Sequence, residues 1–135
     1  MKKVFLPVVI GLAFVLAACG GSGSGAATTI NVAFEEFAFV PAELTVPAGQ
    51  EITLNATNNG AVNHEFVIMK LGETVGDDFG PEDEGNIFWE VEADPGLKVT
   101  KTFTAPTEPG EYQVICGIEG HFMAGMVGKL TVVAP

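Results

Sequence analysis

Residues 116–126 read CGIEGHFMAGM, and this stretch guides the interpretation of the whole chain. It places a thiolate, an imidazole and a thioether at Cys116, His121 and Met126, with four residues between each and the next. A strand that ends at Cys116, followed by a compact loop containing glycines, can bring these side chains round one point. Taken singly, a Cys is usually a small buried hydrophobe and a Met fills gaps in a core. Together they indicate a metal site.

The fourth donor is predicted to be His64, the only other histidine in the chain. It stands at the head of an apolar segment, 66–69, so a strand start in one sheet can face a loop at the end of another. Two imidazoles and a thiolate with a weak axial thioether suit copper in both oxidation states, whereas zinc usually takes four strong ligands. The residue types predict one copper ion, Cu(I) or Cu(II), held by His64, Cys116, His121 and Met126. Met123 is the alternative axial ligand.

Outside this region the chain consists of short strand-like segments between turn residues, and no helical periodicity is sustained. Ile52 and Leu54 fall on one face of their segment, and Tyr112 and Val114 share a face with Cys116. This pattern predicts an all-β fold, an antiparallel Greek-key β-sandwich. The predicted strands cover residues 29–34, 43–46, 51–57, 65–70, 98–104, 111–116 and 128–133.

A long acidic segment, residues 71–95, interrupts the series of strands. It carries nine Asp and Glu residues together with Phe79, Phe88 and Trp89. We expect an acidic insertion loop, with at most a helical turn. Its aromatic side chains are expected to hold it against the rest of the domain. Long loops are often functional, so docking of a partner is an alternative to a plain surface insertion.

The N-terminus is typical of an exported protein. Lys2 and Lys3 precede an apolar run over residues 4–18, which is too short for a comfortable membrane span. The following sequence, LAAC at 16–19, resembles a bacterial lipobox, so residues 1–18 are interpreted as a lipoprotein signal peptide and Cys19 as the lipidated residue. Residues 19–27 then form a Gly/Ser linker, and residues 28–135 form one domain. An ordinary signal peptide or an uncleaved anchor is the alternative, and each places the domain outside the cytoplasm, on the periplasmic side or at the cell surface.

The chain is strongly acidic, with a formal net charge of −11. Cleavage before Cys19 would leave four Lys and all 17 Asp and Glu, a net charge of about −13. This charge argues against nucleic acid as a partner. It favours a partner with a basic docking face, unless the acidity serves only to keep the protein soluble. With Cys19 lipidated, Cys116 is left alone in an oxidising compartment, where a thiol needs burial or a metal.

Several segments in order resemble the cupredoxin family, and the likeness covers nearly all of residues 29–133. FAFVP and LTVPAG near the start are similar to the family's opening strands, and NHEFVI matches its upstream His segment. TFTAP and PGEY lead to Cys116, and GMVGKLTV is similar to the family's ending. These segments occupy residues 37–41, 44–49, 63–68, 102–106, 109–112 and 125–132.

The resemblance implies specific roles for the candidate ligands. Cys116 would be the thiolate bonded to copper, His64 and His121 the equatorial imidazoles, and Met126 the long axial ligand. The downstream His of the family reaches the surface through an apolar patch that passes the electron. Here the residues expected to form that patch are Phe122, Met123, Ala124 and Val127.

Three positions depart from the plastocyanin pattern within the family. Four residues, rather than two, separate Cys116 from His121. Ile115 stands where an aromatic residue usually precedes the Cys. Glu65 stands where an Asn usually follows the first His and ties two loops together.

These observations predict a one-electron carrier and not an enzyme, because two histidines cannot supply the further clusters of a multicopper oxidase. The expected partners are redox proteins, such as a c-type cytochrome or a membrane electron-transfer complex, and the expected state is a monomer held at the membrane by its lipid. Two alternatives remain. One is an extracytoplasmic copper carrier or donor with no role as an electron shuttle, and the other is a metal-free structural lipoprotein.

Overall fold

The computed structural model describes residues 25–135, so the predicted signal peptide, Cys19 and most of the predicted linker lie outside the described residues. Ala27, at the end of that linker, already donates its N–H to the Thr45 carbonyl at 3.1 Å. The strands are β1 (Thr29–Glu35), β2 (Ala38–Val40), β3 (Glu43–Pro47), β4 (Glu51–Asn58), β5 (His64–Met69), β6 (Ile87–Ala93), β7 (Lys98–Thr104), β8 (Gly110–Ile115) and β9 (Val127–Val133).

Two sheets pack face to face, which confirms the predicted β-sandwich. One has the strand order β2-β1-β4-β7 and the other β3-β9-β8-β5-β6. Alternation within strands produces the core: in β4, Ile52, Leu54 and Ala56 are buried, while the residues between them are partly exposed.

Most strand pairs are antiparallel, as predicted for the sandwich, but two pairs are parallel. β1 pairs with β4 in parallel, and β3 pairs with β9 in parallel. The chain leaves the first sheet after β2, crosses to β3 in the second sheet, and returns in β4 running the same way as β1. Alternation of apolar residues reports which face of a strand is buried and carries no information on strand direction.

The acidic segment predicted as one loop over 71–95 ends earlier, because β6 (Ile87–Ala93) is a strand at the edge of the second sheet. Its inward Val91 and Ala93 are buried, whereas Glu90 and Glu92 are exposed. Charged outward residues are common on edge strands, where they oppose pairing with other chains. The three-residue β2 was absent from the strands predicted by alternation, although it lies within residues 37–41, which resemble an opening strand of the family.

Between β5 and β6 lies a shorter insertion, defined here as residues 70–86. It ends in a 3-10 turn, Glu84–Asn86, which agrees with the helical turn predicted within the acidic segment. Among residues 25–135, no helix has the length and apolar character needed to cross a membrane. Of the aromatic residues expected to pin the segment, Trp89 stacks on Phe103 with ring centroids 4.6 Å apart, and Phe79 is half-buried. Phe88 is 39% exposed.

Three phenylalanines fill the core near the start of β5. The Phe34 and Phe39 rings meet edge to face at 5.4 Å, and Phe66 stacks on Phe34 at 6.1 Å. The His64 ring lies 6.5 Å from Phe34 in a T-shaped arrangement. This aromatic cluster therefore packs against the imidazole on the side of the core.

Candidate metal centre

His64 and Cys116 are brought together by neighbouring strands of the second sheet. His64 begins β5, Cys116 follows the last residue of β8, and the two strands pair antiparallel with Val67 opposite Ile115. Both side chains point into the sandwich and are fully buried. His121 comes from the loop after β8 and is half-buried.

The donor atoms of His64, Cys116 and His121 converge, each lying within 4.8 Å of the others. Cys116 Sγ is 3.3 Å from His121 Nδ1 and 4.0 Å from His64 Nδ1. The two imidazole rings are 5.0 Å apart and tilted by 55°. A thiol and two ring nitrogens therefore face one point, although His64 and Cys116 are 52 positions apart in the sequence.

The ligand loop, defined here as residues 116–126, is closed by backbone hydrogen bonds. The Cys116 N–H donates to the Met126 carbonyl at 3.1 Å, and the Met126 N–H donates to the His121 carbonyl at 3.0 Å. Gly120 and Gly125 have φ values of +79° and +100°, which residues with a Cβ adopt only with strain. The two ends of the loop are thus tied to each other and to His121.

The two candidate axial methionines lie in different surroundings. Met126 is fully buried in the same core cluster as Cys116. Met123 is 70% exposed. The three converging donors are buried or half-buried, so burial favours Met126 over Met123 as the candidate axial ligand, which stays a prediction.

The surroundings of the Cys116 thiol favour its protonated form when no metal is bound. Burial raises the pKa of the thiol, and backbone amides of Glu65 and Ile118 act in the opposite direction. The Glu65 N–H donates to Cys116 Sγ at 3.3 Å. A metal that binds here must therefore displace a proton, and the amide remains to stabilise the thiolate.

Both imidazoles are held neutral, as a metal ligand requires. Burial lowers the pKa of His64 and of His121. Each ring directs Nδ1 toward the thiol, so the proton of a ligating imidazole would be on Nε2. His64 Nε2 is buried without a hydrogen bond, and Glu36 Oε1 lies 3.7 Å from it. An imidazole that presents one nitrogen to a metal and the other to a carboxylate is a common arrangement, so the residues present suit a metal.

Glu36 was not identified from the sequence, and it is fixed by the turn that leads to His64. Its Oε1 accepts hydrogen bonds from the N–H groups of Ala61 and Val62, the second at 3.2 Å. Asn58 holds the same turn, because its Nδ2 donates to the carbonyls of Val62 and Ala93, each at 2.8 Å. No periodic pattern marks these residues.

Two close packing features were also not predicted from the sequence. A Cβ on Gly60 would lie against Glu36 Oε1 and His64 Nε2, so glycine permits their approach. The Phe37 ring meets His121 edge to face, with centroids 4.7 Å apart, and is itself 39% exposed. Phe37 lies in a segment, residues 37–41, that resembles an opening strand of the family. The resemblance gave Phe37 no role beside the metal site.

Glu65 connects the start of β5, which carries His64, to the ligand loop. Its backbone N–H donates to the thiol, and its carboxylate lies over Gly117, where a Cβ would meet it. Burial, together with the negative charges of Glu90 and Glu92, raises the pKa of Glu65 to about 7. The side chain usually found here, Asn, is therefore replaced by a partly desolvated carboxyl beside the ligand loop.

The residues expected to form an apolar surface patch divide into two groups. Met123, Ala124 and Val127 are exposed. Phe122 is half-buried and packs against Val67, Met69, Val75 and Ile115. The exposed Phe37 lies against His121 and adds a further apolar side chain beside it.

Comparison with known proteins adds independent findings. A family model described as the cupredoxin-like domain matches residues 8–132. Auracyanin-A of Chloroflexus aurantiacus is 36% identical, and the match covers 98% of this chain and 97% of that protein. The solved structure of auracyanin A, described as a "blue" copper protein, superimposes with a TM-score of 0.64 and 38% identity over 78% of this chain and 98% of that one.

Two further proteins are similar. A reduced auracyanin from the photosynthetic bacterium Roseiflexus castenholzii superimposes with a TM-score of 0.68 and 38% identity, covering 81% of this chain and 99% of that one. The copper-resistant cuproprotein CopI of Rubrivivax gelatinosus is 33% identical, and the match covers 83% of this chain and 70% of that protein.

Proposed function

The chain belongs to the cupredoxin-like family, and from this we propose that it is a blue copper protein that carries one electron at a time. The observation that carries the proposal is the convergence of the His64, Cys116 and His121 donor atoms within 4.8 Å. A soft thiolate and two neutral imidazoles suit copper in both oxidation states. We assign these three residues as the strong ligands and the buried Met126 as the weak axial one.

Bound copper supplies the change between Cu(II) and Cu(I), and the chain supplies a site that need not rearrange. Cys116 and His64 are fully buried, and backbone hydrogen bonds close the ligand loop. Phe34 and Phe37 pack against the His64 ring at centroid distances of 6.5 and 6.3 Å. Side chains packed in this way keep their positions when the charge of the site changes. A site of this kind suits a carrier of electrons, and membership of the cupredoxin-like family supports a carrier and not an enzyme.

The half-buried His121 is the proposed exit for the electron. Phe37 lies at one side of its ring, and Met123, Ala124 and Val127 are exposed in or next to the ligand loop. Apolar side chains at the surface let a partner approach the ring closely. Redox proteins such as a c-type cytochrome or a membrane electron-transfer complex are the proposed partners, and nucleic acid is not among them. The protein is proposed to act as a monomer.

A second candidate function is copper handling, and the similarity to a protein named as a copper-resistant cuproprotein favours it. A carrier or donor of copper would release the ion to an acceptor. An electron carrier would retain it through many cycles.

These two candidates separate in one experiment. The copper-loaded protein is reduced, mixed with an oxidised c-type cytochrome, and in parallel with a Cu(I) chelator. We expect rapid reduction of the cytochrome and slow loss of copper to the chelator. Rapid transfer of copper to the chelator, with no reduction of the cytochrome, would establish the copper donor instead.

The position of the protein in the cell is proposed from the N-terminal sequence. Residues 1–18 would act as a lipoprotein signal peptide, Cys19 would carry the lipid, and residues 19–27 would link it to the domain. Two or more acyl chains anchor a protein stably, since each buried methylene contributes about 0.8 kcal/mol. The domain would then be held at the outer side of the cytoplasmic membrane or at the cell surface.

Replacement of the lipidated residue tests this location. Wild-type protein and Cys19→Ser are expressed in a bacterial host, and membrane and soluble fractions are compared. We expect the wild type to be lipidated, cleaved and found in the membrane fraction. The variant should lack the lipid and the cleavage that depends on it. Identical distribution and identical mass of the two proteins would contradict lipidation.

A further inference from the structure

The insertion, residues 70–86, packs across the outer face of the second sheet. Val67, Met69 and Ile115 point away from the main core, and Val75 of the insertion packs against them to form a second apolar cluster. The Val75 N–H also donates to Gln113 Oε1 at 2.7 Å. The insertion is therefore attached to the sheet by both apolar contacts and a hydrogen bond.

The same apolar cluster contacts the ligand loop. Phe79 of the insertion and Phe122 of the ligand loop both pack against it as partly buried side chains. Phe122 directly follows His121. The insertion and the segment carrying the half-buried imidazole thus share one set of packing partners.

Asp78 connects the two segments directly. Its Oδ2 accepts a hydrogen bond from the Gly120 N–H at 3.0 Å, and its Oδ1 accepts one from the Phe79 N–H at 2.9 Å. Gly120 directly precedes His121 and has a φ of +79°. The Asp78 side chain is half-buried, which shields these hydrogen bonds partly from water.

We propose that Asp78 is a positioning residue that fixes Gly120 and thereby the His121 imidazole of the ligand loop. The acidic insertion then serves as a support for the metal centre. Charge-assisted hydrogen bonds from backbone N–H groups to a carboxylate are stronger than neutral ones. A carboxylate that accepts one N–H from each segment holds them in a fixed relation. The spectroscopic part of this proposal rests on the proposed copper function, and the hydrogen bond itself does not.

Two variants at Asp78 and one neighbouring control test the proposal in the full chain. Asp78→Ala removes both acceptors and the charge, and Asp78→Asn keeps one acceptor oxygen without the charge. Asp77→Ala removes the same charge one residue away, where Asp77 is exposed and makes no side-chain hydrogen bond within residues 25–135. Differences between Asp78→Ala and Asp77→Ala therefore report on the hydrogen bonds.

The first measurement is amide hydrogen exchange in metal-free protein, which does not depend on copper. In Asp78→Ala we expect exchange of the Gly120 amide to accelerate at least about tenfold, with partial protection in Asp78→Asn and wild-type protection in Asp77→Ala. The Val75 amide should stay protected in all three, which would show that the insertion remains in place. An unchanged Gly120 amide in Asp78→Ala, or equal acceleration in Asp77→Ala, would overturn the proposal.

The second measurement uses the copper-loaded proteins. We expect Asp78→Ala to alter the visible and electron paramagnetic resonance spectra and to release copper to a chelator severalfold faster, while Asp77→Ala matches the wild type. If Asp78→Ala does not fold, Asp78→Asn supplies the same comparison. Faster Gly120 exchange with wild-type spectra and release would overturn the effect on His121. Failure of the wild type to bind copper would refute the proposed function, and the exchange data would still decide whether Asp78 holds the loop.

Discussion

The two methionines of the ligand loop differ in burial, and this difference separates their expected roles. Met126 is fully buried, whereas Met123 is 70% exposed. The axial ligand and the apolar character of its surroundings tune the potential of such a site. Replacing the donor sulfur by a purely apolar group disfavours the more highly charged Cu(II). We therefore expect Met126→Leu to raise the reduction potential and change the visible spectrum. The substitution nearly conserves volume, so the loss of folding stability should stay below about 1.5 kcal/mol.

Met123→Leu is the matched control for this prediction. It makes the same chemical change at an exposed side chain of the same loop, and it should leave the potential and the spectrum unchanged. A potentiometric titration followed by visible absorption measures both variants. A shift in Met123→Leu with none in Met126→Leu would assign the axial position to Met123.

Glu36 provides a second prediction at the scale of single residues. Its Oε1 lies 3.7 Å from His64 Nε2, and the hydrogen bond from the Ala61 backbone holds the pKa of Glu36 below its usual value. The carboxylate is therefore ionised at neutral pH. Because the oxidised site carries one more positive charge than the reduced site, this negative charge favours oxidation. We expect Glu36→Gln to raise the reduction potential.

Glu51→Gln serves as the control for Glu36→Gln. Glu51 is the first residue of β4, and the turn that leads to His64 follows the other end of this strand. Its charge should have little effect on the copper, because exposed charges are screened beyond about 10 Å at ordinary salt concentrations. Equal shifts in the two variants, or a lower potential in Glu36→Gln, would contradict a specific role of Glu36.

The residues that sequence alone could identify are those with distinctive chemistry. Cys116 and His121 are close in sequence, and His64 is the only other histidine, so metal chemistry selects all three. Glu36 and Asp78 are two of 17 acidic residues, and nothing local distinguishes them. Their positions beside His64 and Gly120 arise from packing of distant segments, which no periodic pattern records.

At the scale of elements, the ligand loop depends on backbone conformations that favour glycine. Gly120 has a φ of +79°, and a Cβ placed on it would meet no atom within 4 Å. Gly120→Ala should therefore suffer backbone strain without a steric clash. We expect it to destabilise the metal-free protein by about 1–2 kcal/mol, measured by urea denaturation.

Gly76→Ala isolates the effect of conformation in the Gly120 prediction. A Cβ placed on Gly76 would also meet no atom within 4 Å, and the φ of Gly76 lies outside the left-handed region. An alanine there should be neutral or slightly stabilising, because it reduces the freedom of the unfolded chain. A Gly120→Ala variant as stable as Gly76→Ala would show that the loop is free to relax.

Most strands were predictable from short apolar or β-branched segments between turn residues, and β7 was identified in full. β4 alternates apolar with polar residues and was identified almost in full. β6 alternates apolar residues with Glu90 and Glu92, so its charges matched the expectation of a solvated loop. The parallel pairing of β1 with β4 depends on the crossing of the chain between sheets, which is a property of the whole topology.

At the scale of the whole molecule, the excess of acidic residues predicts how association responds to salt. The chain carries 17 Asp and Glu against 6 Lys and Arg. Opposite charge on a partner accelerates encounter, and salt screens this attraction. We expect the second-order rate of electron transfer to a basic cytochrome to fall about tenfold or more between low and high ionic strength.

An acidic cytochrome is the control for this salt dependence. Its rate should be lower at low salt and should rise as salt screens the repulsion. Stopped-flow mixing measures both reactions. If the basic partner shows no dependence on salt, the acidic surface plays no part in association and serves solubility alone.

The most direct test of a one-electron copper carrier is a redox titration of the copper-loaded protein followed by its visible absorption. We expect one tightly bound copper per chain, an intense visible band in the oxidised state, and complete, reversible bleaching on uptake of one electron. Cys116→Ser should lack the band, because the band requires a bond between the thiolate and copper. A wild-type copper complex without an intense band, or one that cannot be reduced and reoxidised without loss of copper, would contradict the proposed function.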